Sequence, residues 1–207
     1  MIQLGGSDCE QALAGLLTQP INALSSLAFI PAGALTVVAA MRASGRLRLH
    51  LAGYGVALIG VGVGSFAYHG PQPAWAGRPH DASIAVALVL AILLAVTAGR
   101  RRTRVWRTGA GRLSAALLAA ALVAYAAGRT GSPLCDPRGW IQPHAVWHVL
   151  IAGSALAFAW RLPRRMGCLE ASHDHRIGKP RTAGTEAAFV MPGWLAGGMR
   201  RGTRPLS

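Results

Sequence analysis

Five long stretches of this chain carry no Asp, Glu, Lys or Arg, and that fact limits the folds open to it more than any other. They are Ile21 to Met41, Leu51 to Tyr68, Ala82 to Gly99, Leu113 to Gly128 and Ala145 to Trp160. A helix needs about 20 apolar residues to cross the hydrocarbon core of a bilayer, with a range of about 17–25. The fourth and fifth runs are slightly short of that, yet five such runs in 207 residues are too many for one soluble core. Only 14% of the residues are charged, against roughly a quarter in an ordinary soluble domain. The reading is an all-α, polytopic membrane helix bundle of about five spans. No Lys or Arg precedes Arg42, so the basic start of a cleaved signal is missing and the first run is expected to be a span.

The net charge of +14 invites a nucleic-acid partner, but its placement argues against one. Arg42, Arg46 and Arg48 follow the first run, and Arg100, Arg101, Arg102, Arg104, Arg107 and Arg112 follow the third. Arg161, Arg164 and Arg165 follow the fifth, whereas the alternate loops hold only Arg78, Arg129 and Arg138. Excess arginine in every second loop is the signature of cytoplasmic loops. It puts the N-terminus outside and the C-terminus in the cytoplasm. Residues 1–165 are expected to form the membrane domain and 166–207 a basic, disordered cytoplasmic tail resting on anionic lipid. In that tail AAFVMPGWLAGGM is too short and too broken by Gly and Pro to span, and His173-Asp174-His175 is at most a weak metal motif. No dinucleotide or phosphate-binding glycine motif is present. The glycines of GVGVGS at 60–65 are read as close helix packing.

This topology gathers the rare polar groups at one depth. The second run ends outside at Ser65-Phe66-Ala67-Tyr68-His69, the third begins outside at His80-Asp81, and the fifth begins outside at His144-Ala145-Val146-Trp147-His148. Residues four apart share a helix face, so Ser65 stacks with His69 and His144 with His148. Ionisable groups inside membrane spans are costly and mark functional sites. Three imidazoles with one open position are a common catalytic zinc arrangement. Each residue alone also has a bland reading: a solvated interfacial histidine, a serine bonded to its own helix backbone, or a Trp147 that only packs. A haem between two histidines is a further alternative, but it gives Ser65 and Asp81 no task.

At these residues the sequence resembles the alkaline ceramidases, and with them the wider superfamily of membrane hydrolases and progestin/adipoQ-type receptors. GSFAYHG at 64–70, HD at 80–81 and HAVWH at 144–148 are similar to the family's three signature segments. The N-terminal DCE and the run from Asn22 to Ser26 are similar too, so the resemblance covers about residues 8–160. It implies zinc ligands at His69, His144 and His148, an oxyanion-stabilising Ser65 and a general base at Asp81. It implies hydrolysis of a lipid amide drawn from the bilayer into a fatty acid and an amine. The family fold has seven spans, and the two not counted here fall between Asp81 and His144. Eukaryotic relatives also bind calcium near the N-terminus. Glu10 matches one of those ligands, but Ser7, Ala12 and Gln19 stand at the others, and no calcium is expected. The family pairs cysteines placed like Cys9 and Cys135, both outside on this topology. Either a disulfide or two separate buried thiols is compatible with the sequence. A non-enzymatic member of the superfamily with a structural zinc is the alternative function.

Overall fold

Each apolar run becomes helix in the computed structural model, which describes residues 4–100 and 109–176, with side chains placed at 4–97, 109–160 and 162. The helices are α1 (Pro20–Ser26), α2 (Phe29–Ala40), α3 (Gly45–His69), α4 (Gly77–Arg100), α5 (Gly109–Ala127) and α6 (Pro143–Arg176). Among the described residues, four segments are long and apolar enough to cross a membrane: Pro20–Ala40, Gly45–His69, Gly77–Thr97 and Gly109–Ala127. The fifth apolar run forms the first half of α6. The protein is therefore an all-α bundle of the expected kind. Its outer surface agrees with a lipid environment. On α4 alone Val86, Leu88, Val89, Ile92, Leu93 and Val96 are all exposed, far more apolar surface than a soluble protein leaves bare.

The first span is broken between α1 and α2, and Pro31 explains the break. Its missing N–H and its ring leave the Leu27 carbonyl without the usual partner four residues on. That carbonyl instead accepts from the Ile30 N–H at 3.0 Å, and the Leu27 and Ala28 N–H groups make similar three-residue bonds. α6 departs from expectation in the other direction. It runs on through Arg176, so residues 166–176, expected to open an irregular tail, are helical. Arg, Leu, Met, Glu and Ala in that stretch are good helix formers, and the Gly- and Pro-rich composition of the tail sets in only after it. The rest of the tail, 177–207, and the side chains of His173, Asp174 and His175 lie outside the described residues.

The helices pack in a curved row, α4 on α3, α3 on α2 and α1, these on α6, and α6 on α5. Small residues set the closest crossings. Gly33 of α2 and Gly55 of α3 face one another so tightly that a Cβ on Gly55 would lie 2.7 Å from the Gly33 carbonyl oxygen. The glycine run in α3 acts as the sequence suggested: a Cβ on Gly62 would press on Ile30 of α2, and one on Gly64 on the backbone of His80. α5 and α6 are joined by polar groups, Ser114 Oγ donating to the Ser154 carbonyl at 3.0 Å and Ser154 Oγ to the Ser114 carbonyl at 2.9 Å. Between α4 and α5, the two ends of the row, lies an apolar cavity of about 610 Å³.

Opposite ends of the bundle differ. At one end Arg42 sits over the Trp160 ring at 4.9 Å. At the other, the segment before α1 crosses the ends of α3, α5 and α6. It is held by backbone bonds from Thr18 to Gly70, Gln19 to His69, Cys9 to Gly128 and Gln11 to Pro137, and by a disulfide between Cys9 and Cys135.

Candidate metal centre

The histidines expected at one depth do meet. His69 ends α3, His144 and His148 lie in the first two turns of α6, and the three are all buried. Ring centroids are 5.1 Å apart for His69 and His144, 5.4 Å for His69 and His148, and 4.7 Å for His144 and His148. One nitrogen from each lies within 4.8 Å of the others, and among the described residues no Cys, Asp or Glu joins this group. Such spacing leaves no room for a haem between any two rings. The three can hold one metal ion.

The fit can be tested on the far side of each ring, since a ligating imidazole usually gives its other N–H to an acceptor. Gln19 Nε2 donates to the carbonyls of Gly5 at 3.0 Å and Glu10 at 3.1 Å, which fixes the orientation of its amide. Its Oε1 must then accept, at 2.7 Å, from Nδ1–H of His69. Ser25 Oγ donates to the Asn22 carbonyl at 2.9 Å, so it accepts from Nδ1–H of His148, also at 2.9 Å. His144 Nδ1 faces Asp8 Oδ1 at 3.4 Å, within ion-pair distance but out of line for a hydrogen bond. In all three rings Nδ1 looks outward and Nε2 is left for the centre. This donor set suits zinc, which takes neutral imidazole nitrogens and keeps an open position in catalytic sites.

Ser65 is buried one turn before His69, with Oγ 3.4 Å from Nε2 of His148. It therefore borders the point where the nitrogens converge. Asp81 does not. Its side chain is 80% exposed and its Oδ1 lies 2.8 Å from Nδ1 of His80. The His80 ring makes the approach instead, stacked on Tyr68 at 4.3 Å and edge-on to His69 at 6.3 Å. Trp147 packs against Tyr125, His144 and His148, and lines the apolar cavity.

The two N-terminal carboxylates have separate tasks. Both oxygens of Glu10 accept backbone N–H groups at the start of α1, from Ile21 and Asn22 at 2.8 Å each, where the helix dipole favours an anion. Asp8 is buried beside the cluster. Burial raises its carboxyl to about 6, and the Arg129 guanidinium, 3.1 Å away, pulls it back toward the ionised form. No known family model matches the chain, and no curated protein or solved structure matches it.

Asp8, Gln19 and Ser25 were missed as site residues by the sequence reading. None stands at metal-ligand spacing from a histidine, and Gln19 was weighed only as a departure from a calcium set. The available signal was an acid beside a cysteine in a segment with few charged residues, Asp8-Cys9-Glu10.

Proposed function

We propose that the chain is a zinc-dependent membrane hydrolase that cleaves a lipid amide, ceramide-like in kind, into a fatty acid and an amine. The observation that carries this reading is the three-histidine cluster with every Nδ1 turned outward, and a serine hydroxyl at its inner edge. His69, His144 and His148 would hold the zinc, which would supply a Lewis acid and make water reactive near neutral pH. Hydrolysis adds water to the amide carbon, breaks the C–N bond and sends the proton to the departing amine. Ser65 Oγ–H donates to the oxygen on which charge develops. Asp81 and His80 work as a pair: the carboxylate holds Nδ1–H, which leaves Nε2 of His80 as the basic atom that takes and returns the proton.

The cavity supports an apolar substrate. Its lining includes Phe29, Leu58, Ile84, Leu122, Trp147 and Phe158, with hydroxyl groups from Tyr54, Ser114 and Ser154. Phe29 stands 6.0 Å, ring to ring, from His148, so this space begins beside the cluster and runs along the helices. At about 610 Å³ it falls within the usual range for small-molecule sites. The two spans that the ceramidase resemblance would add fall in sequence between Asp81 and His144, the stretch that here forms α4 and α5.

One observation favours the second reading, a non-enzymatic relative with a structural metal: the exposure of the Asp81 carboxylate. Fatty-acid release from a panel of lipid amides, by detergent-purified protein with and without chelator, separates the two. Release that stops on chelation and returns with zinc supports the hydrolase. A zinc-loaded protein inert across the panel supports the structural reading.

A further inference from the structure

His144 is the ligand whose Nδ1 has no aligned hydrogen-bond acceptor, only the Asp8 carboxylate at 3.4 Å. Among the described residues, the segment that carries Asp8 has no helix before Pro20. Several contacts next to Asp8 hold it. The Asp8 N–H donates to the Gly5 carbonyl at 2.9 Å, Arg129 Nη1 donates to Oδ1 at 3.1 Å, and the neighbouring Cys9 N–H donates to the Gly128 carbonyl at 2.9 Å. A covalent tether to the loop between α5 and α6 is the bond from Cys9 to Cys135. The same segment backs a second ligand. Gly5, at φ +68°, lies so close that a Cβ there would stand 2.5 Å from Gln19 Oε1 and 3.2 Å from His69 Nδ1.

We propose that Asp8 is a positioning residue for the metal ligand His144, and that the Cys9–Cys135 disulfide holds it in place, so that metal affinity depends on a bond outside the ligand set. The proposal rests on the histidine cluster being a metal site. A carboxylate behind a ligating imidazole fixes the ring and its tautomer and raises the basicity of the ligating nitrogen. The carboxylate can do so only while its segment stays seated. The disulfide joins positions 126 apart and so ties the segment carrying Asp8 to the loop between α5 and α6.

The test is zinc affinity of the full-length protein in detergent, measured by competition with a chromophoric chelator. Asp8→Asn is expected to weaken binding by about 10–100-fold, the range for such outer contacts. Cys9→Ser with Cys135→Ser is expected to weaken it comparably. Because both act through one carboxylate, the triple variant should lose little more than the worse of the two, a coupling that independent structural damage would not give. Cobalt-loaded Asp8→Asn should also show a displaced visible absorption band, while the metal-free variant keeps the wild-type melting temperature. Wild-type affinity in Asp8→Asn, or fully additive losses, would overturn the proposal. If the cysteine variant fails to fold, the Asp8→Asn affinity and spectrum still decide. Absence of zinc binding in the wild type would overturn the metal reading itself, and this inference with it.

Discussion

At the scale of single residues, the cluster makes unequal demands on its members. The outer nitrogen of His148 is held by Ser25; if the cluster holds zinc, His148→Ala removes one of three ligands and should abolish tight binding. Gln19→Ala leaves the ligands intact but frees the Nδ1 of His69, and should weaken zinc by about 10–100-fold in the same chelator assay. Asp81→Asn and His80→Ala should both keep zinc yet hydrolyse about 10²–10⁴-fold more slowly, as for loss of a general base. Recovery of Asp81→Asn activity in excess zinc would instead make the pair a support for the ligands. That the three histidines and Ser65 come together was legible in the sequence because helical spacing and topology together fix a face and a depth. The groups behind them were not. Gln19, Ser25 and Asp8 reach the rings only through the Pro31 break and the crossing of the N-terminal segment, and neither is periodic in sequence.

Helices and their crossings were easier to foresee than their ends. Arginine and histidine stop an apolar count, so the reading began the second span at Leu51, whereas α3 begins at Gly45 and carries Arg46 and Arg48 in its first turns. Long arginine stems lie along apolar surface with their charge at the interface, which makes such residues ordinary helix ends. The same property let α6 run past Trp160. Packing at the crossing of α2 and α3 has a direct consequence. Gly55→Val would force a side chain onto the Gly33 carbonyl and the Val37 backbone, and neither can rotate away. A destabilisation of at least about 1–3 kcal/mol is expected, read as a lower melting temperature in detergent. Topology belongs to this scale as well. A fluorescent reporter that matures only in the cytoplasm should give signal when fused after Arg165 and none when inserted at Pro73. The reverse pattern would place the histidine cluster on the cytoplasmic face.

For the whole molecule, the open row of helices explains how a chain of 207 residues can combine a polar centre with an apolar cavity. α3 and α6 bring the ligands, the N-terminal segment and α1 close over their outer sides, and α4 and α5 stand apart around the cavity. If that cavity takes an alkyl chain, Leu122→Trp should slow hydrolysis of long-chain amides more than of short-chain ones while leaving zinc affinity unchanged. Equal effects on both would remove the cavity from the reaction. Everything in this arrangement depends on the three imidazoles sharing one ion. The most direct test is metal content by mass spectrometry on detergent-purified wild type, His148→Ala and, as a control in the tail, His173→Ala. One zinc per chain in wild type and His173→Ala, with almost none in His148→Ala, is the expected result; metal-free wild type, or equal loss from both variants, would contradict it.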